Sequence, residues 1–497
     1  MFVLFGVSVA LEVLLLTLPF LWSARKILSP IATLLSVVAT AGLVGLFPNT
    51  GTVLLLIASM YRVFNTRRIV QARMHERYLK RATRRTALLI SIGQLVLMGA
   101  WWTWYQTAAS RQALWLVLAG AQVVAAAILL ASTLRRIRRT HPILDPNAFF
   151  TDAELPSVTV AIPARNETQD LQECLESLVA SNYPKLEIIV LDDCSQNKHT
   201  PEIIRSFAHD GVRFIQGEEP KATWLAKNQA YDRLAQEASG EYVMFCGVDL
   251  RFDADSIRRL VTIMLTKRKR MISILPHLQT VNGGLPVLQA MRYWWELVPP
   301  RRFFGRPAVL SSCWMIERKA LRQTGGFAAV TRAIVPEAYF AKALVRDDAY
   351  SFMRSNMVLG ITSVKQAVDQ RDTAIRMRYP QLHRRPEQAL ITSLVEFTFL
   401  ILPFVMASAG WWLPITGLTQ ACAALAAVLL VITYQCMASA SQLGHQLFGL
   451  VATPIMVAAD ICVIYQSMWQ YEFSEVVWKD RNVCIPVMHT VPHLPKV

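Results

Sequence analysis

The sequence predicts an α/β domain with a mostly parallel sheet, set inside a polytopic α-helical membrane protein. Three observations predict it. Residues 158–162, 188–191 and 242–245 are uninterrupted apolar runs that lead into acids or polar loops, as expected of parallel strands buried on both faces. These runs alternate with helical segments, the pattern of right-handed βαβ units. Finally, the apolar excess lies in the first 134 residues and in residues 389–470, on either side of the α/β segment, so a polar domain is flanked by membrane segments.

Composition agrees. The chain of 497 residues is 53% hydrophobic and 17% charged, with a mean hydropathy of +0.32. Its net charge of +16 does not form one aromatic-interleaved patch, which argues against nucleic acid. Instead Arg25, Lys26, the basic run over 67–85 and the cluster at 135–139 each follow an apolar segment, marking cytosolic loops by the positive-inside rule. Five N-terminal spans are expected near 2–22, 31–47, 51–64, 87–108 and 113–134, with the N-terminus outside. The second and third are short for a bilayer, which needs about 20 residues, so a re-entrant hairpin is the alternative there. Residues 2–22 lack a basic leader and a small-x-small site, and read as an uncleaved anchor. Three further segments lie near 389–409, 415–440 and 448–468. One is expected to be interfacial, and 389–409 is the candidate because Glu396 is costly at mid-bilayer; Asp460 makes the last segment a competitor. The resulting organisation is 1–140 membrane region, 141–388 cytosolic domain, 389–470 membrane region and 471–497 cytosolic tail. Eight cysteines form no CxxC pair or Cys/His cluster, so neither zinc nor a disulfide framework is expected.

Within the central domain the elements follow in order. The first strand ends in the loop 163–167, after which Thr168 or Asp170 can cap a helix with Leu171, Cys174, Leu175 and Leu178 on its apolar face. The second strand ends in Asp192-Asp193, and a short helix is expected over 202–208. A third strand over 212–216 precedes a helix running to 238, and the fourth strand ends at Asp249. Acids thus collect beyond the carboxyl ends of the strands, where open α/β sheets bind ligands.

These motifs resemble, in order, those of the family 2 glycosyltransferases of GT-A fold. Residues 163–167 match a Pro-x-x-Asn-Glu loop, Asp192-Asp193 a strand-terminal acid pair, and residues 247–249, Gly-Val-Asp, the Asp-x-Asp region. Residues 224–230 resemble the Trp-x-Gly-Lys-x-x-Ala segment of members that glycosylate lipids, and residues 325–327 match a Gly-Gly-Phe turn. Asp347-Asp348 with Arg354 resembles a Glu-Asp-x-x-Leu-x-x-Arg acceptor motif, residues 381–385 Gln-x-x-Arg-Trp, and residues 477–481 a Trp-Lys-Gly-Arg tail. The departures are Gly247 for the first acid, Ala226 for a glycine, Asp347 for glutamate, Arg385 for tryptophan, and a longer segment between Gly326 and Asp347.

The resemblance implies a membrane-integrated GT-A enzyme moving a sugar, with inversion, from a nucleotide sugar to a lipid at the cytosolic leaflet of the cell's inner or plasma membrane. It implies that Asp249 ligates Mg2+ or Mn2+, which neutralises the departing diphosphate, and that Pro163, Asn166, Glu167 and Gln381 belong to the donor site. Lys227 adds positive charge near the diphosphate; a solvated helix lysine is its plain alternative. A strand-end carboxylate can accept the imide N–H of uracil, so Asp192 and Asp193 are candidate readers of a UDP-linked donor, although one of them can instead cap the following turn. Asp348, beside Asp347, is the expected general base; a salt bridge to Arg346 or Arg354 is the alternative, and Glu337 the fallback. Arg384 suits bidentate diphosphate contact, against a membrane-headgroup role. Trp294 and Trp295 read equally as acceptor-cleft residues or interfacial anchors. Two other functions stay open: a processive polysaccharide synthase, weakened by Arg385, and a catalytically impaired scaffold, because of Gly247.

Overall fold

The computed structural model describes residues 2–17, 25–47, 50–71, 91–100, 108–144, 148, 150–221, 223–278, 286–300, 307–364, 367–408, 415–441, 449–479 and 481–482. The chain divides into two compact units, Met1–Ala121 with Met406–Ala423, and Gln122–Val405 with Ala424–Val497.

The first unit contains α1 (Phe2–Thr17), α2 (Arg25–Leu46), α3 (Thr50–Gln71) and α4 (Ser91–Ala100). Phe5, Val9, Ala39 and Leu55 form its apolar core. A buried guanidinium crosses that core. Arg62 ion-pairs with Glu12 and donates to Gln94 Oε1 at 2.8 Å and Ser36 Oγ at 3.1 Å. A charge inside an apolar bundle requires such partners, and each of the other three helices contributes one. The apolar part of α2, Leu28–Leu46, starts earlier than the expected span and is long enough to cross a bilayer; the basic run over 72–85 lies outside the described residues.

The second unit begins within α5 (Ala108–Thr140). The α/β domain then runs β1 (Val158–Ala164), α6 (Gln169–Val179), β2 (Leu186–Asp192), α7 (His199–Ser206), β3 (Val212–Gln216), α8 (Ala226–Glu237) and β4 (Tyr242–Cys246). After these come β5 (Leu250–Phe252), α9 (Ser256–Thr266), β6 (Met271–Leu275), β7 (His277–Leu278), α10 (Pro286–Leu297) and β8 (Cys313–Glu317). The domain closes with α11 (Arg318–Gln323), α12 (Glu337–Val345), β9 (Tyr350–Arg354) and β10 (Ile361–Ser363). The main sheet has the order β3-β2-β1-β4-β8-β6-β9. Its first four strands are parallel and β8 is antiparallel to both neighbours, so the expected GT-A-like, mostly parallel α/β fold is what forms.

Alternation along the strands builds a core on each face. Val158, Val160 and Ile162 join Leu171, Cys174, Leu175 and Leu178 of α6 on one side. Ala161, Ile189 and Val243 join Tyr231, Trp314, Phe327 and Phe340 on the other, where the Phe245 and Trp314 rings stack at 4.4 Å. Gly325 and Gly326 have φ of +93° and +60°, values that glycine adopts without strain; this turn delivers Phe327 to the core. At the N-terminus of α6, Thr168 makes no side-chain cap bond, and Asp170 pairs with Arg251 instead.

Five helices follow: α13 (Ala367–Gln381), α14 (Pro386–Glu396), α15 (Leu402–Ser408), α16 (Gly417–Ala440) and α17 (Gly449–Phe473), with a π-turn at Phe397–Ile401 joining α14 to α15. A short hairpin, β11 (Val477–Trp478) with β12 (Arg481–Asn482), comes last. Both α10 and α13 pack on α17. Among the described residues five helices are long and apolar enough to cross a membrane: Leu28–Leu46, Arg111–Thr140, Pro386–Ser408, Gly417–Ala440 and Gly449–Phe473. Glu396 and Asp460 both turn towards Arg378 of α13, which removes the reason for expelling 389–409 to the interface.

Candidate active site

The parallel strands converge on a cleft of about 450 Å³. β1 contributes Pro163, Arg165 and Glu167 through its following loop, β2 contributes Asp193, and β4 leads to Gly247 and Asp249. Lys227 and Tyr231 enter from α8, Ser311 and Ser312 from the approach to β8, and Lys479 from the C-terminal hairpin. The remaining wall is Met291 and Trp295 of α10 with Gln370, Arg376, Arg378 and Gln381 of α13.

Asp249 accepts a hydrogen bond from Ser363 Oγ at 3.2 Å. Gly247 matters for its position, since a Cβ at 247 would stand 2.5 Å from Asp249 Oδ1. The missing acid of the Asp-x-Asp region therefore leaves the space that the remaining carboxylate occupies. No cluster of three or more His, Cys, Asp or Glu forms a closed metal cage among the described residues. The Asp249 carboxylate, with Glu167 and Asp170 close enough to feel its charge, fits an open site in which a hard divalent ion would take most of its oxygen ligands from phosphates and water.

The other acids are held by cations. Glu167 Oε2 lies 3.1 Å from Lys479 Nζ; burial raises its pKa above the ordinary value, and Lys479 opposes the rise. Asp193 Oδ1 lies 2.7 Å from Arg481 Nη1, and again burial raises the pKa while Arg481 and Arg165 lower it. Arg165, buried, donates to the carbonyls of Asp193 (2.7 Å), Cys194 (2.6 Å) and Lys479 (2.8 Å), so the hairpin is tied to the β1 and β2 loops. Lys227 Nζ sits 5.1 Å from the Tyr231 ring centre. Gln381 accepts from Arg378 at 3.1 Å.

Five expected site residues lie away from the cleft. Asn166 and Asp192 serve the loops: Asn166 accepts the Gln196 N–H at 2.8 Å, and Asp192 accepts the Ser195 N–H at 3.1 Å as a turn cap. Arg384, at φ +52°, lies over the Tyr471 ring at 4.9 Å, because the chain turns towards α17 on leaving α13; it does not line the cleft. Asp348 and Asp347 lie outside the cleft as well. They follow the C-terminus of α12, and the Asp348 side chain, 96% exposed, pairs with Lys269 at 2.9 Å. The extended segment after Gly326 forms a 3-10 turn and α12, and this helix places the acid pair about 13 Å further along than its start. At that start stands Glu337, fully buried, which accepts from Ser311 of the cleft wall and whose Oε2 has no hydrogen-bond partner among the described residues.

The α10 and α13 wall holds groups that sequence alone did not connect. Trp295 Nε1 donates to Asp460 Oδ2 at 2.6 Å, and the Arg378 guanidinium lies 4.1 Å above the indole centre. Arg378 grips Asp460 with two bonds of 2.7 and 2.6 Å, and Glu396 stands 3.8 Å away. The only sequence signals were acids inside apolar segments, which call for a cation without naming it.

Residues 159–325 match the family described as Glycosyl transferase family 2. The chain is 33% identical over 99 residues to glycosyltransferase AglE of Haloferax volcanii, covering 19% of this chain and 31% of that protein. It is 30% identical over 105 residues to the poly-beta-1,6-N-acetyl-D-glucosamine synthase of Staphylococcus epidermidis, covering 21% and 24%. The chain thus spans less than a third of the length of these two relatives. Among solved structures, mannosyltransferase PcManGT from Pyrobaculum calidifontis, in complex with GDP-Man and Mn2+, is 17% identical with a TM-score of 0.44, covering 73% of this chain and 99% of that one.

Proposed function

From a central domain that belongs to glycosyl transferase family 2, we propose that this chain moves a sugar from a nucleotide sugar, UDP-linked, to a membrane lipid at the cytosolic leaflet, with inversion. One observation carries the acceptor assignment: the cleft that holds Asp249 is also walled by α10 and α13, the helices packed on the apolar helix α17. A site open to strand-end acids and bordered by such helices suits a polar donor and an acceptor anchored in the bilayer. The basic clusters beside the apolar segments support a cytosolic central domain.

In this reading Asp249 holds Mg2+ or Mn2+. An ion held there would supply positive charge to offset a departing diphosphate. Lys227 and Lys479 place ammonium groups at the same cleft, and Arg165 fixes the loops from which Glu167 and Asp193 project. Asp193 reads the base from the end of β2. Glu337, buried behind Ser311 of the cleft wall, is the base that draws the acceptor proton through the Ser311 hydroxyl while the sugar carbon inverts.

A processive polysaccharide synthase is the second reading, favoured by the similarity to the staphylococcal synthase. Arg385 stands at the aromatic position of Gln-x-x-Arg-Trp and lies 4.0 Å from Glu387, so that motif supplies no stacking ring. Purified full-length protein in lipid nanodiscs, given labelled nucleotide sugar and membrane lipids, is expected to yield a chloroform-extractable glycolipid; EDTA and Asp249→Asn each abolish it, the former reversibly with Mn2+ or Mg2+. Full activity in EDTA removes the metal role, and a long polymer made without added lipid promotes the synthase.

A further inference from the structure

We propose that Trp295 is a stacking platform for an uncharged, hydroxyl-rich acceptor headgroup, so that the lipid receiving the sugar already carries a glycosyl ring. This deepens the proposed glycosyl transfer and rests on it. Trp294 is 3% exposed and belongs to the core, whereas Trp295 is half-buried and faces the cleft. Its ring cannot choose among rotamers freely, since its N–H is bonded to Asp460 and one of its two faces is covered by Arg378. A ring fixed before binding loses little side-chain freedom when a ligand stacks on it, and the aliphatic C–H faces of a sugar lie flat against aromatic surface.

Charge decides between headgroups. Arg378 is neutralised by Asp460, with Glu396 beside it, and Arg376 has Glu337 and Asp372 as acidic neighbours. An anionic phosphate entering along α13 meets no surplus of positive charge there. A sugar meets the indole together with the amides of Gln370 and Gln381, which can both donate to and accept from hydroxyls.

The test reads binding in the full chain in nanodiscs, without nucleotide or metal, so that its failure is distinct from a failure of sugar transfer, which is read separately through Asp249. The probes are octyl glucoside below its micellar concentration and octyl phosphate, titrated by saturation-transfer NMR. Octyl glucoside is expected to bind more tightly than octyl phosphate. Trp295→Ala weakens the glucoside about tenfold, the upper range of aromatic contacts, and leaves the phosphate unchanged. Trp295→Phe, which keeps a ring but lacks the N–H to Asp460, retains most of the glucoside affinity. Tighter binding of octyl phosphate, an unchanged glucoside affinity in Trp295→Ala, or equal losses in the Ala and Phe variants overturns the proposal. Should Trp295→Ala not purify as a monodisperse protein, Trp295→Leu, which keeps bulk without an aromatic face, decides by the same criterion.

Discussion

Glu337 and Asp348 are both carboxylates in the segment after the Gly-Gly-Phe turn, yet their surroundings differ completely. One is sealed against Ser311 in the cleft wall, and the other is solvent-exposed beside Lys269. A base must reach the proton it removes, so Glu337→Gln is expected to lower kcat by about 100-fold, while Asp348→Asn stays close to wild type in the same transfer assay. Glu167 offers a test of electrostatics. Burial holds its pKa above the ordinary 4.5, so the folded state keeps this proton more firmly than the unfolded chain does. Its contribution to stability is therefore complete below 4.5 and fades as pH rises through the higher folded value. Glu167→Gln cannot lose that proton, and its melting temperature should fall less than that of wild type between acid pH and neutrality; an unchanged slope would show that Lys479 cancels the burial. At this scale Pro163, Glu167, Asp193, Lys227, Asp249 and Gln381 come together on one cleft, a convergence legible because strand ends and the loops after them gather at one sheet edge. Asp348 and Arg384 lie away from that cleft, which was not legible because motif spacing does not reveal where the chain turns after α12 or after α13.

Elements carry the next level. The strands were readable from sequence because burial on both faces leaves an unbroken apolar run, and α6 because its four buried residues recur at helical spacing. By contrast α13, which forms a wall of the site, has no clear apolar stripe: its residues divide between the cleft and α17. Asp460 is what joins the two helices, through Arg378 and Trp295. Asp460→Ala leaves a buried guanidinium without its main partner and should cost about 3 kcal/mol, seen as a lower thermal-inactivation midpoint. The double change Arg378→Met with Asp460→Leu should recover much of that loss, as replacement of a whole buried pair often does. Additive losses in the double variant would mean that the two side chains act independently.

For the whole molecule, the alternation of basic and apolar segments is expected, by the positive-inside rule, to order the chain across a bilayer. Cysteine-labelling of intact cells is expected to place residues 65–86, 135–388 and 472–497 on the cytosolic side. A central domain labelled from outside would separate it from cytosolic nucleotide sugars and defeat the proposed function. The division into two units was not legible in the sequence, since apolar segments look alike whichever partner they choose; the Glu12 and Arg62 pair within the first unit shows where such a choice was made.

Arg354 of β9 donates to Thr140 Oγ1 at 2.9 Å, to the carbonyl of Ile137 at 3.1 Å, and to the carbonyl of Ala440. It thereby sits on the last turns of α5 and α16, where a cation also complements the helix dipoles. The α/β domain is consequently not portable. Cut out and hung from a foreign anchor on a linker of equal length, it would keep its sheet and its acids but lose the two helix ends that set its bearing.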